Sequence, residues 1–321
     1  MKRLPYIAML VSIVLLAGCI KENYEDCERC KLTFSYMGDV NYDIFQEKIS
    51  CVNLYVFDKT NSLVLTKRIE QSDLKAYQGT KLNLSPGSYR IVGVGNKMDL
   101  TEVENPQNHD SAIFLNPDCN NSNRTVGNDS LYLGTKMITI PKDYWYEDDV
   151  PFRSSHLKVS YTVKGFVNPN PSKAADGTKA QNSMLELSVK NLLPQTDFTN
   201  KAHGNKTTYN PILNFNNTNG DHYGYFNIMR HTKDSDVVFE LKEKATEEIV
   251  HTLPLADFLG KFPQIDVSKQ EVLIPIIVEF KNIGVTVTIP DWLIQDITPD
   301  YGNDNGNEPD QDNGTTNTNI N

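Results

Sequence analysis

Beyond its first 18 residues, this 321-residue chain has no apolar run approaching the roughly 20 residues that a membrane-spanning helix requires. Histidine is scarce: His109, His156, His203, His222, His231 and His251 are scattered, and no two sit one helical turn apart around a glutamate, which excludes a zincin helix. There is no G-x-S-x-G elbow and no P-loop. Gly93-Val94-Gly95 follows a strand pattern but has no third glycine and no helix after it, so it is no dinucleotide fingerprint. Asp304-Asn305-Gly306 lacks an acid at the first ligand position of a calcium loop. Glu102, Glu104 and Asp110 read as solvated loop charge. Basic residues are outnumbered 31 to 41, giving a net charge of -10, which repels nucleic-acid phosphates and anionic head groups. No catalytic residue, metal site or cofactor is expected, and the chain reads as a non-enzymatic binding or assembly protein.

What the chain does have begins at its N-terminus. Lys2 and Arg3 precede an apolar stretch, Tyr6 to Ala17, broken only by Ser12. This is the layout of a secretory signal. It closes on Leu16-Ala17-Gly18-Cys19, which resembles the lipobox of bacterial lipoproteins. The resemblance implies removal of residues 1–18 and acylation of Cys19. A single acyl chain holds a protein only marginally at a membrane, so a multiply acylated Cys19 fits stable anchoring. An exported chain meets an oxidising compartment, which makes Cys27, Cys30, Cys51 and Cys119 candidates for disulfides. Their pairing cannot be read from the sequence. Cys27-Glu28-Arg29-Cys30 has CxxC spacing, but no second CxxC exists and the nearest histidine is His109, so a metal or redox pair is the weaker reading.

Residues 19–30 are polar and acidic and form a tether; acids just after a lipidated Cys resemble a surface-export signal of Bacteroidetes. From Lys31 the pattern turns to period two, with Leu32, Phe34 and Tyr36 alternating with Lys31, Thr33 and Ser35. Strands are expected at 49–57, 62–69, 80–84, 88–95 and 131–140, with a helical turn at 71–77. Pro86-Gly87 makes a turn. Residues 96–129 read as a long polar loop. Residues 141–155, with two prolines and the acids Glu147, Asp148 and Asp149, read as a boundary. The same grammar restarts at Leu157, Val159, Tyr161 and Val163. Strands follow at 185–189, 212–215, 223–229, 237–242 and 248–253, then a short helix at 254–262. A closing hairpin is expected, 271–280 with 285–289, turning at Asn282 and Gly284. Residues 168–182 read as a loop. The tail at 299–321 is too polar to offset its ordering entropy and is expected to be disordered. About fourteen short strands and a mid-chain break predict an all-β chain of two antiparallel β-sandwiches, at 31–150 and 151–298.

Two triplets, Asp110-Ser111-Ala112 and Asp129-Ser130-Leu131, resemble the O-glycosylation pattern of Bacteroidetes and make Ser111 and Ser130 candidate glycosylation sites. Trp145 and Trp292 are candidate platform residues for a sugar.

A lipobox Cys, then Cys30-Lys31-Leu32-Thr33-Phe34-Ser35-Tyr36, Val52-Asn53-Leu54-Tyr55-Val56-Phe57-Asp58 and Leu84-Ser85-Pro86-Gly87-Ser88-Tyr89-Arg90-Ile91-Val92 together resemble the FimB-type fimbrial anchor subunits of Bacteroidetes, a family that includes the minor-fimbrium anchor. The match is best over residues 19–96 and extends to Ile289-Pro290-Asp291-Trp292. The resemblance implies two tandem transthyretin-like sandwiches, a lipid anchor in the outer membrane, and attachment and length control of a fimbrium, with shaft or accessory fimbrial subunits as partners and β-strand addition as the route of assembly. It implies no catalytic residues. Two alternatives stay open. One is a polymerising or tip fimbrillin, matured by cleavage after Arg68 or Arg90. The other is a surface glycan-binding lipoprotein.

Overall fold

The alternation at residues 31–36 becomes β1 (Cys30–Ser35), with Cys30, Leu32 and Phe34 buried and Thr33 exposed. The computed structural model describes residues 29–120, 124–167 and 183–294; Cys19, Cys27, the 168–182 loop and the polar tail lie outside them. Residues up to Ile289 form one compact unit, and Pro290 onward a second, in which a short helix spans Asp291–Ile294.

The first half supplies β2 (Val52–Asp58), β3 (Leu63–Ile69), β4 (Gly79–Leu82), β5 (Gly87–Gly95), β6 (Glu102–Glu104), β7 (Ile113–Leu115), β8 (Tyr132–Ile140) and β9 (Tyr146–Ser154). A seven-stranded array runs β3-β2-β5-β8-β9-β1-β4. It folds over on itself at β9. That strand pairs in parallel with β1 up to Pro151, then joins β8 from Phe152. Proline has no N–H to give a ladder, and Pro151 falls where the strand changes partners. Leu32, Phe34, Leu54, Ile91, Val150 and Phe152 pack between the two layers.

The second half supplies β10 (His156–Lys164), β11 (Leu185–Leu192), β12 (Gln195–Asp197), β13 (Ala202–His203), β14 (Thr207–Tyr209), β15 (Asn214–Phe215), β16 (His222–Met229), β17 (Val238–Glu243), β18 (Ile249–Pro254), β19 (Leu273–Lys281) and β20 (Gly284–Thr288). One sheet runs β15-β16-β10-β19-β20 and the other β14-β11-β17-β18. Tyr161 of the first stacks on Phe239 of the second at 5.8 Å, inside a core of Val159, Ile276, Leu187 and Leu241. In both halves the opening strand lies parallel to a late one, β1 beside β9 and β10 beside β19. The all-β sandwich architecture expected from the sequence is present, as are the short helices at Gln71–Ala76 and Leu255–Lys261 and the closing β19–β20 hairpin.

Two expectations are corrected. The stretch expected to be a boundary is β9, a full strand of the first sandwich. Its acids sit beside the polar side of β1 and its neighbours: Ser35 and Thr33 donate to Asp149, and Lys136 pairs with Asp148 at 2.9 Å. The polar loop at 96–129 contains β6 and β7, which join β12 and β13 in a small sheet ordered β13-β12-β7-β6. This sheet is built from both halves of the chain. Phe114 of β7 and Phe198, just after β12, pack on Tyr55, Phe57, Val92 and Val94, so β2 and β5 are buried on both faces. Each large apolar side chain so buried contributes about 1.5–3 kcal/mol.

Gly93 and Gly134 face each other across β5 and β8. The ring of Phe152 fills the slot they leave: an added Cβ would lie 2.7 Å from it at either position. The ring cannot retreat, because Phe34 and Phe45 pack against it edge-on at 5.6 and 5.4 Å. Gly134→Ala should therefore destabilise the protein by about 1–3 kcal/mol through overpacking. Denaturant unfolding checks this, and Phe152→Leu in the same chain should return part of the loss.

Candidate assembly site

The joint between the halves centres on Glu271, just before β19. Its carboxylate accepts hydrogen bonds from Tyr36 Oη (2.7 Å), Tyr132 Oη (2.9 Å) and Lys158 Nζ (2.7 Å), with Lys48 Nζ at 3.4 Å. Asp39 in turn accepts the backbone N–H groups of Gln270 and Glu271 at 2.9 and 2.8 Å. Burial alone would raise the Glu271 pKa; the Lys158 ammonium and the two phenol hydroxyls outweigh it and bring the pKa down to about 2. Arg230 holds the same corner by donating to carbonyls of His156, Val267, Lys269 and Gln270. Burial keeps the His156 imidazole neutral, lowering its pKa to about 4, and its Nδ1 meets Leu131 O at 2.9 Å.

Edge strands are where a sheet offers unpaired backbone groups, so their chemistry decides what can add to them. In the first sandwich the edges are β3 and β4. β3 carries Lys67 and Arg68, and Lys67 Nζ donates to Lys81 O of β4 at 3.1 Å, bridging the two edges. β18 carries a register shift and ends in Pro254. β6 is acidic, and β13, β14 and β15 are two or three residues long. β20 differs from all of these. Its Gly284-Val285-Thr286-Val287-Thr288 has no charge and no proline. Val285 and Val287 pair with Phe280 and Val278 and so share the core-side face of β19. Val278 is fully buried, yet Val285 is 38% exposed and Ile283 at the hairpin tip is 99% exposed. Among the described residues, no further strand covers the core face at this edge. Lys261 Nζ, donating to Val287 O at 3.1 Å, is the one side-chain cap found there among the described residues.

Cys30, Cys51 and Cys119 are free thiols, so none of these three is joined to another. Burial raises all three pKa values, that of Cys30 to about 11. Ser111 lies in an exposed turn, its Oγ donating to Asn108 O at 3.3 Å. Ser130 is half-buried, its Oγ accepting from Asn227 Nδ2 at 3.1 Å. Trp145 and Trp292 are both exposed. Arg90 lies within β5, bonded on both sides, and Arg68 in β3 pairs with Glu70 at 2.6 Å. Among the described residues no three His, Cys, Asp or Glu side chains converge as a metal site, and no helix is long and apolar enough to cross a membrane. Neither the Glu271 joint nor the bare β20 edge is legible as a motif. The uncharged β-branched run at 285–288 is the one local signal for the latter.

The family model of fimbrillin-A associated anchor proteins Mfa1 and Mfa2 matches residues 24–298. The chain belongs to this anchor family. The family is a structural one associated with fimbriae at the cell surface, not a family of enzymes. The fimbrial anchor protein Mfa2 from Porphyromonas gingivalis has a similar fold, with a TM-score of 0.59, 12% identity, and 81% of this chain and 94% of that one covered. A proposed polysaccharide-binding protein from Bacteroides thetaiotaomicron gives a TM-score of 0.65 at 13% identity, covering 82% and 96%. A proposed adhesin from the same species gives 0.61 at 16%, covering 82% and 96%. Identities this low show a shared fold alone. Among curated proteins none matches.

A depressed carboxylate pKa adds stability above the unfolded pKa that is lost as pH falls through the folded value. For Glu271 that window runs from about 4.5 down to about 2. Glu271→Gln should lower stability at pH 7 by on the order of 3 kcal/mol. It should also flatten the stability profile across that window, as read by urea unfolding at a series of pH values.

Proposed function

We propose that this protein is a lipid-anchored subunit that fixes a fimbrium to the outer membrane. Cys19 carries the acyl chains, residues 20–30 are the tether, and the body is displayed at the surface. The observation that carries the assembly half of this reading is the β20 edge, where backbone groups and a core-side valine are left open. An extended strand from a neighbouring fimbrial subunit, with apolar residues at alternate positions, would pair with β20 and cover Val285 and Val287. It would displace Lys261 from Val287 O as it did so. A subunit held to the membrane at one end and offering one edge at the other terminates a fibre, which is how it would limit fibre length.

This reading is preferred to a polymerising fimbrillin matured after Arg68 or Arg90. Cleavage at either arginine would remove β1 and β2, whose Leu32, Phe34, Leu54 and Val56 are core residues. A surface glycan-binding role is the second reading. It is favoured by the exposed Trp145 and by the description of one structural relative as polysaccharide-binding. Saturable binding of a polysaccharide, abolished by Trp145→Ala and Trp292→Ala, would support it.

Two outcomes are expected. Cys19→Ser should release the folded protein, with attached fimbriae, into the medium while leaving its melting temperature unchanged. Val285→Lys should place a charge on the open edge and reduce co-purification with other fimbrial subunits by about tenfold or more, equivalent to at least about 1.4 kcal/mol. Fimbriae retained on Cys19→Ser cells at normal length contradict the anchor half. Undiminished co-purification of Val285→Lys contradicts the edge half.

A further inference from the structure

A cleft of about 1580 Å³ opens between Leu133 and Arg153 of the first sandwich and, from the second half, the loop at 230–236, the helix Leu255–Lys261 and residues 263–270. It is distinct from the β20 edge, none of whose residues line it. Its lining includes the aliphatic Leu133, Leu193, Leu259 and Ile265 and no Phe, Tyr or Trp. Five basic residues line it against three acidic ones, in a chain whose net charge is -10. Lys206 is paired with Asp236; Arg153, Lys201 and Lys233, like Asp234 and Asp266, have no ion-pair partner among the described residues, so the lining keeps an excess of positive charge. Three side-chain atoms of lining residues are buried and unpartnered: Asn200 Oδ1, His231 Nε2 and Ser235 Oγ. Burial keeps His231 neutral, its pKa lowered to about 4. A buried polar atom without a partner is costly, so these side chains would gain a partner from a ligand that meets them.

We propose that this cleft binds an extended acidic peptide segment rich in aliphatic residues, carried by a partner protein. The unpaired cations attract carboxylates, and the aliphatic lining takes Leu, Ile or Val side chains. The absence of any Phe, Tyr or Trp disfavours a sugar, whose apolar faces are commonly stacked on aromatic rings. Local positive charge in an acidic protein also concentrates such a segment near the cleft, an attraction that salt weakens.

The test is fluorescence anisotropy on the full mature chain with a short labelled peptide of alternating glutamate and aliphatic residues. Controls are the same peptide with lysine for glutamate and an oligogalacturonate. The glutamate peptide should bind at least about tenfold more tightly than either control, a difference of about 1.4 kcal/mol. Arg153→Glu combined with Lys233→Glu should weaken it by a similar factor. Ala256→Trp, which fills the cleft without changing charge, should do the same. Val285→Lys should leave it unchanged, separating this site from the β20 edge. Equal binding of the lysine peptide, tighter binding of the oligogalacturonate, or full binding by both cleft variants overturns the proposal.

Discussion

One carboxylate carries the joint between the two halves of this molecule. Removing a charge from water costs several kcal/mol unless its lone pairs are answered. Glu271 is answered by two tyrosine hydroxyls and a lysine ammonium, with a second lysine close by. Tyr36 and Tyr132 belong to the first sandwich, Lys158 to the opening strand of the second. Glu271 itself lies at the foot of β19, which carries β20. The direction of the β20 edge relative to β1 is therefore set at this carboxylate, with Arg230 tying the same corner through four carbonyls. The small sheet built from both halves adds a second seam at Phe198.

That arrangement suits the proposed role. β1, the first described strand, is an interior one held by β9 on one side and β4 on the other; in the proposed role the tether would lead into it. Tension from a lipid anchor would have to shear two ladders to extract it, rather than peel an edge. The β20 edge belongs to the other sandwich, and the Glu271 joint and shared sheet connect the two. In the first sandwich the β3 edge carries Lys67 and Arg68, and Lys67 donates to Lys81 O of β4, so charge sets these edges apart from the uncharged β20.

Much of the fold was legible because its strands alternate cleanly. Leu32, Phe34, Val159 and Tyr161 announce a buried face, and Asn282 with Gly284 announces the last hairpin. What was not legible rests on contacts distant in sequence. β6 and β7 are three residues each, too short for periodicity, and they become strands when β12 arrives from the second half to cover Phe114. β9 looked like a linker because it holds proline and three acids. Pro151 falls at a change of partners, and the acids meet Ser35, Thr33, Lys31 and Lys136. The Phe152 slot explains the glycine at Gly93, the first residue of the Gly93-Val94-Gly95 pattern. Cys19 lies outside the described residues and stays a reading of its motif alone, whereas the β20 edge shows only when Val285 is seen exposed on a core-side face.

The central claim is that this chain is a terminal fimbrial subunit that takes a partner strand along β20. Site-specific photo-crosslinking on fimbriated cells tests it most directly, with the crosslinker placed at Val285 or, as a control edge, at Leu65 on β3. The account predicts a covalent adduct from Val285 to an alternating apolar segment of another fimbrial subunit, and none from Leu65. An adduct from Leu65 alone, or none from Val285 while fimbriae remain attached, would contradict it.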